Sequence, residues 1–268
     1  MKTILITGAN GFLGKALCSK LIESYVIVPV TRATGTDLGG MFKNTKIDYI
    51  IHAATFYGRS YEGATELIES NILLPLRVCE MGIKQGTKAF INADTFFNCE
   101  QNYDYLTGYI KSKKQVNEWL KTLSNRIPII NMKIQHMYGL GEGGDKFIPQ
   151  LLEKLIAGKE MPLTMGEQKR DFIYIDDVVS AYLTILAHID TQPKGFITYN
   201  IGTGKSISIK ELCLTVKQLA NSNSNLIFGA LSYRENEIMD SFADNSILKE
   251  LGWEPKISLE EGIKKIIG

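Results

Sequence analysis

Short runs of β-branched and other apolar residues alternate along the chain with longer segments in which apolar residues recur at helical spacing. This alternation is typical of strand-helix-strand units around a parallel sheet. The predicted strands are residues 3–7, 26–30, 49–52, 89–93, 129–134 and 199–201. The pattern therefore predicts an α/β fold with a doubly wound parallel sheet.

The pattern changes after Tyr138-Gly139, where three closely spaced glycines mark a loop. Residues 147–156 then have the spacing of an amphipathic helix, and the chain from about Ser206 onward is helical and loop-rich. We expect a main domain formed by residues 1–138 and about 171–203. A small lobe would comprise about residues 139–170 and 204–268.

Composition narrows the classes of partner. The 268 residues include 30 basic and 29 acidic side chains, and no Lys/Arg-rich tract argues for polymeric nucleic acid as a partner. No apolar stretch approaches bilayer length, so we expect a cytoplasmic protein with no membrane association. The cysteines are scattered without paired spacing, which favours reduced thiols over disulfides or a metal site: Cys18, Cys79, Cys99 and Cys213.

Three glycines follow the first predicted strand. Gly8, Gly11 and Gly14 lie between that strand and a helix predicted to begin near Phe12. Glycine permits a tight turn, and it lets backbone N–H groups approach a pyrophosphate at the positive end of the helix. The spacing differs from the usual dehydrogenase GxGxxG, but its place at the first strand-to-helix junction predicts a dinucleotide site.

The end of the second strand bears on which dinucleotide is bound. A free ribose 2′-hydroxyl is usually held by an acidic residue there, about 20 residues beyond the loop. The strand instead ends Val30-Thr31-Arg32, and a guanidinium offers a fork of donors to a 2′-phosphate. We predict a preference for NADP(H) over NAD(H), with a solvated surface arginine as the alternative.

One tyrosine is spaced from a lysine in a way that indicates acid/base chemistry. Of the 12 tyrosines, only Tyr109 is followed four positions later by a lysine, Lys113, in a stretch with helical character. Positions i and i+4 share a helix face. A nearby ammonium favours the phenolate, so we expect Lys113 to lower the pKa of Tyr109 from about 10 toward neutral pH. The pair predicts acid/base chemistry at a sugar oxygen.

Several features together carry a resemblance that extends over nearly the whole chain. They are the glycine loop, Tyr109 with Lys113, the run Tyr138-Gly139, residues 168–177 (QKRDFIYIDD) and residues 251–255 (LGWEP). In this order they resemble the extended short-chain dehydrogenase/reductases, the NAD-dependent epimerase/dehydratase family. The resemblance implies a Rossmann-type sheet with a small C-terminal substrate-binding lobe, acting on a nucleotide-diphosphate sugar.

The resemblance also implies roles for individual residues. Tyr109 would be the acid/base, Lys113 would bond the nicotinamide ribose, Asp37-Leu38 would lie by the adenine, and Ala53-Ala54 by the ribose and pyrophosphate. The full set of expected cofactor-binding residues is Gly8, Asn10, Gly11, Phe12, Leu13, Gly14, Arg32, Asp37, Leu38, Ala53, Ala54, Thr55, Asn92, Tyr109, Lys113 and His136.

On the substrate side, the resemblance implies that Arg170 and Arg234 clamp the diphosphate and that Phe147 lies near the base. Exposed surface charge is the alternative for the two arginines. His136 falls where the family often has an asparagine near the substrate, and a packed histidine is the alternative there.

One position departs from the family pattern. A serine or threonine hydroxyl is usual at the end of the fifth strand of the family, and the matching residue here is Ala93. Ala93 is an engineered substitution, or the protein is naturally impaired, or Thr95 supplies the hydroxyl. Residues 93 and 95 face the same way in an extended backbone, which allows the third option. Ala93, Asp94 and Thr95 therefore join Tyr109 and Lys113 as candidate catalytic positions.

The scaffold hosts reductases, 4-epimerases and 4,6-dehydratases. Related dehydratases place an Asp-Glu pair where this chain has Asp94-Thr95, so dehydration is disfavoured. Residues 92–98 and 109–115 look closest to the CDP-abequose synthase group of bacterial surface-polysaccharide pathways (O-antigen, lipopolysaccharide), which reduces the 4-keto group of a nucleotide-linked 6-deoxyhexose.

We therefore expect an NADPH-dependent 4-ketoreductase of deoxysugar biosynthesis. The alternatives are a 4-epimerase with tightly bound NAD and a non-catalytic NADP-binding protein. The family commonly dimerises through the helix that bears Tyr109 and the preceding one, here residues 66–82, so a homodimer is expected by resemblance.

Overall fold

The computed structural model describes residues 1–34, 37–59, 63–98 and 105–268. The helices are α1 (Phe12–Leu21), α2 (Leu38–Asn44), α3 (Ala64–Ile68), α4 (Leu74–Gln85), α5 (Thr107–Leu123), α6 (Phe147–Ile156), α7 (Ile175–Ala187), α8 (Ile209–Leu219), α9 (Ser246–Glu250) and α10 (Leu259–Ile267). A π-helical turn (Glu69–Leu73) joins α3 to α4, and a 3-10 turn follows α7 (Ile189–Thr191).

The strands of the central sheet are β1 (Thr3–Thr7), β2 (Val26–Val30), β3 (Tyr49–His52), β4 (Ala89–Thr95), β5 (Pro128–Ile134) and β10 (Gly195–Ile201). The shorter strands are β6 (His136–Tyr138), β7 (Met161–Leu163), β8 (Lys169–Arg170), β9 (Phe172–Tyr174), β11 (Ile207–Ser208), β12 (Leu226–Phe228) and β13 (Asp240–Ser241). All six predicted strands are confirmed, and β4, β5 and β10 are longer than predicted.

The central sheet has the strand order β10-β5-β4-β3-β1-β2, with parallel pairing from β2 through β1 and β3 to β4. The chain therefore leaves β1 for β2 on one side and then returns to the other side for β3. This reversal is a topological switch point, and in such sheets ligands bind beyond the carboxyl ends of the strands at that point. The predicted doubly wound α/β fold is confirmed.

Strand β2 forms one edge of this sheet. Its register with β1 pairs Ile6 with Pro29, and proline lacks the N–H that a second neighbouring strand would require. Val26, at the start of β2, is exposed. In the described residues, only β2 lies beyond β1 on this side, one strand fewer than in the usual doubly wound order.

The core lies on both faces of the central strands. Every residue of β3 and β4 is buried, as expected for parallel strands covered on both faces. Residues Leu5, Ile50, Phe90 and Ile129, one from each of four adjacent strands, belong to a single apolar cluster with side chains from α4 and α5. This packing holds α5, which carries Tyr109 and Lys113, against β4.

The chain divides into two compact units. Unit 1 comprises Met1–Cys99, Leu106–Lys133 and Ala181–Tyr199, and unit 2 comprises Glu100–Tyr105, Ile134–Ser180 and Asn200–Gly268. Among the described residues, unit 2 contains residues 134–138, 171–180 and 200–203, which the prediction assigns to the main domain. The reason is that β6 pairs with β9 in a separate parallel sheet, and both strands lie in unit 2.

Two buried carboxylates organise unit 2. Asp171 accepts hydrogen bonds from the backbone N–H groups of Thr203 (2.8 Å), Gly204 (3.0 Å) and Ala243 (3.1 Å). Asp177 accepts the N–H groups of residues 256 and 257, both at 2.9 Å. Each carboxylate satisfies loop donors that would otherwise be buried without a partner. Two of the three aspartates in the motif at residues 168–177 therefore have structural roles.

In the part of the chain that the structure describes, no helix has the length and apolar character needed to cross a membrane. The same residues contain no cluster of His, Cys, Asp or Glu side chains able to hold a metal ion.

Candidate active site

The glycine turn between β1 and α1 is packed too closely for side chains. Gly8 has a φ of 69°, and a Cβ there would lie 2.6 Å from the Ala54 Cα. A Cβ on Gly14 would lie 2.0 Å from the Gly8 carbonyl oxygen, and one on Gly11 would lie 3.1 Å from it. The turn therefore requires glycine, and it brings bare backbone to the carboxyl ends of β1 and β3 at the switch point.

The amino-terminal end of α1 faces the same turn. Its N-cap residue, Gly11, supplies no side-chain hydrogen bond to the first N–H groups of the helix. Unsatisfied N–H groups and the helix dipole form an anion site, so this end of α1 fits a dinucleotide pyrophosphate. Asn10 is exposed beside it, Phe12 is half-buried, and Leu13 is buried beneath the turn.

A hydrogen-bonded pair ties β1 to β3 at this point. The Thr7 hydroxyl lies 2.8 Å from His52 Nδ1 and accepts the Ala54 N–H (3.3 Å), while the Ala53 N–H donates to the Thr7 carbonyl (3.2 Å). Burial and the nearby Lys113 lower the pKa of His52 to about 3, so this histidine is neutral. The contacts fix Ala53 and Ala54 against the glycine turn, and the half-buried Thr55 follows them.

The end of β2 presents the predicted cofactor-selecting arginine. Arg32 is exposed, and its guanidinium carbon lies 5.9 Å from the centre of the Phe56 ring. Asp37 is the N-cap of α2 and accepts the Gly40 N–H (2.9 Å), with the half-buried Leu38 beginning the helix. The role of Asp37 and Leu38 at the adenine stays a prediction.

Tyr109 lies in the first turns of α5, almost fully buried. Its ring packs on Tyr57 with ring centres 4.9 Å apart, and the Thr95 side chain is the neighbouring group that acts to lower its pKa. Burial raises the pKa of Tyr109 well above 10, with Tyr57 and Asp94 adding to the increase. The expectation that Lys113 would lower this pKa is therefore wrong for this state of the protein, because the cost of burying a phenolate dominates.

Lys113 lies one helical turn after Tyr109 and is 2% exposed. Its ammonium donates to the carbonyl oxygen of Ala93 (2.8 Å). Burial lowers the pKa of Lys113 to about 8, against an opposing effect of Asp94. The ammonium therefore contacts a strand carbonyl, and it remains charged at neutral pH.

The conformation of β4 at its carboxyl end determines where the side chains of Ala93 and Thr95 lie. The strand stays extended through Thr95, so the side chains of residues 93 and 95 lie on the same side. Ala93 contributes its carbonyl oxygen to Lys113, and the Thr95 hydroxyl accepts the Phe97 N–H (3.3 Å) and acts to lower the pKa of Tyr109. The hydroxyl that acts on the phenol thus lies two positions beyond the usual family residue.

Asp94 points into a cluster of carboxamides. Its Oδ2 atom accepts hydrogen bonds from Asn117 and Asn131, both at 2.8 Å, and from Asn98 at 3.1 Å. Asn92 lies in the same buried cluster and contacts the side chains of Asn117 and Asn131. Sequence reasoning missed Asn117 and Asn131, although Asn117 follows Lys113 at the same i+4 spacing and so shares its helix face.

Asn71, in the π-helical turn, was also missed. Its carboxamide accepts the Phe56 N–H (2.9 Å) and donates to the Phe56 carbonyl (2.8 Å) and the Ser112 hydroxyl (2.9 Å). Ser112 in turn donates to the Tyr109 carbonyl (2.7 Å). A π-helical turn is rare and is often found at functional sites. Here it holds the loop that carries Tyr57 next to α5.

The predicted substrate-binding residues lie in unit 2. The buried Arg170 guanidinium donates to the carbonyls of Lys169 and Ile238 and forms an ion pair with Glu237. Arg234 is exposed, and its guanidinium carbon lies 3.9 Å from the centre of the Tyr105 ring.

The remaining two predicted substrate-binding residues also lie in unit 2. His136 packs on Phe172 with ring centres 5.5 Å apart, and burial together with Arg170 lowers the pKa of His136 to about 3. Phe147 is the half-buried first residue of α6. The roles of these two residues and of the two arginines stay predictions.

Comparison with known proteins agrees with this geometry. A sequence model of the NAD dependent epimerase/dehydratase family matches residues 4–202, well over half of the chain. This chain belongs to that family. CDP-abequose synthase from Salmonella muenchen is 37% identical over 286 aligned positions, which cover 99% of this chain and 97% of the relative. CDP-abequose synthase from Salmonella typhimurium is 33% identical and covers 98% and 97%.

A solved structure of another protein has the same fold as this chain. UDP-glucose 4-epimerase from Thermotoga maritima superposes with a TM-score of 0.86 at 24% identity, covering 99% of this chain and 97% of that chain. The resemblance predicted from the sequence, to the family and to its CDP-abequose synthase group, is confirmed.

Cofactor selection leads to a testable prediction. Replacing Arg32 by serine is expected to raise the dissociation constant of NADPH about tenfold, because one charge-assisted contact to the 2′-phosphate is worth about 1.5–3 kcal/mol. NADH affinity should stay within about twofold. Fluorescence titration of the wild-type protein and Arg32→Ser with each dinucleotide measures both constants. Tighter binding of NADH than NADPH by the wild-type protein would contradict the prediction.

Proposed function

We propose that this enzyme is an NADPH-dependent reductase of the 4-keto group of a nucleotide-diphosphate-linked 6-deoxyhexose. The observation that carries the proposal is the buried Tyr109 phenol, which lies one helical turn before the buried Lys113 on α5. The two CDP-abequose synthases, similar along nearly their whole length, support a role in deoxysugar biosynthesis.

The protonation state of Tyr109 favours the reductive direction. Reduction of a ketone requires a proton for the oxygen, whereas oxidation of an alcohol requires a base to accept one. Because burial raises the pKa of Tyr109, the phenol carries its proton at neutral pH and can donate it. The neutral phenol is the form that ketone reduction requires.

Bound NADPH would supply the hydride that reduces the carbonyl carbon. Tyr109 donates its proton to the carbonyl oxygen, so the ketone becomes a secondary alcohol and the phenol becomes a phenolate. The Lys113 ammonium stabilises that negative charge across one helical turn. The Thr95 hydroxyl, at the end of β4, is assigned as a second donor to the same carbonyl oxygen. Solvent then returns a proton to Tyr109.

The glycine turn, the uncapped end of α1 and the backbone after β3 fit the pyrophosphate of the dinucleotide. Arg32 supports NADPH as the preferred cofactor, since its guanidinium at the end of β2 replaces the usual acid. A reductase consumes free cofactor, which agrees with NADPH. For the substrate, we assign Arg170 and Arg234 to the diphosphate, Phe147 to the base and His136 to the sugar.

We further infer a cytoplasmic homodimer. Helix α5 carries Trp119, which is 57% exposed. Residues 66–82, the second segment of the expected dimer interface, lie in α3, the π-helical turn and α4. An exposed tryptophan is a large apolar contact of the kind enriched at interfaces.

The direct test follows NADPH absorbance while the purified enzyme is given a CDP-linked 4-keto-6-deoxyhexose, with the UDP- and dTDP-linked 4-keto sugars in parallel. We expect stoichiometric NADPH oxidation with at least one of them and a product whose C4 carries a hydroxyl group. Interconversion of C4 epimers without net cofactor use, by enzyme purified with bound NAD, would establish the epimerase instead. No oxidation with any of these sugars would overturn the reductase proposal.

A further inference from the structure

Lys113 is an ammonium buried without a carboxylate in contact. Its hydrogen-bond acceptor is the neutral carbonyl of Ala93 (2.8 Å), and none of the ion pairs between described residues includes it. Burial of a charge without a partner in contact is costly, and it drives a lysine toward its neutral form. A negative charge that lies near the Lys113 ammonium without touching it must therefore favour the charged state that the proposed reaction uses.

The carboxamide cluster, defined as Asn92, Asn98, Asn117 and Asn131, holds the carboxylate of the residue after Ala93, whose carbonyl accepts Lys113. Asn117, one helical turn after Lys113 on α5, donates to that carboxylate. Asp94 is 5% exposed, and three N–H donors of the cluster converge on its Oδ2 atom at 2.8–3.1 Å. Hydrogen bonds of this kind favour the ionised carboxylate. Asp94 is thus a buried carboxylate whose Oδ2 atom is held by neutral donors, while its buried Oδ1 atom has no hydrogen-bond partner in the described part of the chain. It has no ion-pair partner among the described side chains.

The cluster has a built orientation. Asn92 Nδ2 donates to the Oδ1 atoms of both Asn117 (3.2 Å) and Asn131 (2.9 Å). With their oxygens occupied in this way, those two side chains must present their NH₂ groups to Asp94. The strand β4 supplies Asn92 and Asp94, β5 supplies Asn131, and α5 supplies Asn117. Two strands of the sheet and one covering helix therefore fix the carboxylate.

We propose that Asp94 is the fixed counter-charge of Lys113, keeping that ammonium charged behind the Tyr109 phenol. Asp94 is then a positioning residue that acts through Lys113. The inference rests on the proposed function only for the use that the reaction makes of the ammonium. In a buried site the effective dielectric is low enough for opposite charges that are not in contact to influence each other strongly.

The other titratable groups around Lys113 carry no compensating charge. His52, on β3, is neutral, because burial and Lys113 itself lower its pKa to about 3. Tyr109, on α5, and Tyr182, on α7, are protonated, since burial raises the pKa of both and Asp94 adds to the increase. Asp94 is the group that raises the pKa of Lys113. The counter-charge is therefore assigned to Asp94.

The test is the titration of Lys113 itself, which requires no substrate. Protein labelled with ¹³C at lysine Cε is titrated by NMR in the absence of ligands, with Lys113→Met identifying the signal. We expect a transition near pH 8 in the wild-type protein. In Asp94→Asn, which keeps the shape and removes the charge, the transition should fall by about one pH unit or more. Asp48→Asn, at the amino-terminal end of β3, is the matched control and should leave it unchanged.

A folded Asp94→Asn protein whose Lys113 titrates like the wild type overturns the proposal. If that variant does not fold, the ¹³Cγ shift of Asp94 in wild-type protein at pH 7 decides, because a protonated carboxyl cannot be a counter-charge. A shifted Lys113 titration without NADPH oxidation by any 4-keto sugar would support this inference and defeat the reductase. NADPH oxidation together with an unshifted Lys113 titration in Asp94→Asn would support the reductase and defeat this inference.

Discussion

Replacing Tyr109 by phenylalanine is expected to lower kcat for 4-keto sugar reduction by about 10³-fold, within the range of about 10²–10⁴ for the loss of a general acid. The phenol is the buried proton donor, and its removal leaves the developing alkoxide without a proton source. A factor of 10³ corresponds to about 4 kcal/mol in the activation barrier. Single-turnover measurement of NADPH oxidation gives the rate of the chemical step directly.

The Tyr109→Phe substitution removes the hydroxyl group and leaves the rest of the side chain in place. Phenylalanine keeps the ring that packs on Tyr57, so the fold and the dissociation constant of NADPH should change little. The half-buried Tyr25, between α1 and β2, provides a matched Tyr→Phe control outside the candidate site. A Tyr109→Phe enzyme with a kcat within tenfold of the wild type would remove Tyr109 from the mechanism.

Replacing Thr95 by valine should lower kcat by about a hundredfold, the effect of removing one donor aimed at a developing oxyanion. Valine has the shape of threonine, so packing at the end of β4 is retained while the hydroxyl is lost. The loss should appear mainly in kcat, because the hydroxyl acts on the reacting oxygen in the transition state. Steady-state kinetics of NADPH oxidation separate kcat from KM.

Ala93 supplies the matched variant for this test. Placing a serine at position 93 in the Thr95→Val background puts a hydroxyl back on the same side of β4, two residues earlier. Recovery of at least tenfold in kcat would show that the site accepts the hydroxyl from either position. Unchanged turnover in Thr95→Val alone would exclude Thr95 and favour a naturally impaired or altered enzyme.

The carboxamide cluster and the displaced hydroxyl belong to the same strand, and they are linked by its length. Because β4 remains extended through Thr95, Asn92 and Asp94 point to one side while Ala93 and Thr95 point to the other. One side meets the carboxamides of β5 and α5, and the other meets the Tyr109 phenol. The strand thereby carries both the proposed counter-charge and the proposed donor.

Local sequence was sufficient for the architecture and for the main candidates. Strand positions, the glycine turn and the Tyr109–Lys113 spacing depend on periods of two and 3.6 residues and on the conformational freedom of glycine, which neighbouring residues determine. The predicted start of α1 at Phe12 and the limits of α6 agree with the structure for this reason. The domain boundaries depend on strand pairing between distant segments, and there the sequence-based limits differ.

What only the tertiary structure decided is the electrostatic state of the site. The sequence places an ammonium one turn from a phenol, but burial, which is a property of the assembled sheet and helices, raises the pKa of Tyr109 and lowers that of Lys113. Likewise, no local pattern shows that Asn131 and Asn117 converge on Asp94, because they are 14 residues apart in the chain and meet only when α5 packs beside β4 and β5. Side-chain identity follows from sequence, whereas desolvation and long-range contacts arise only on folding.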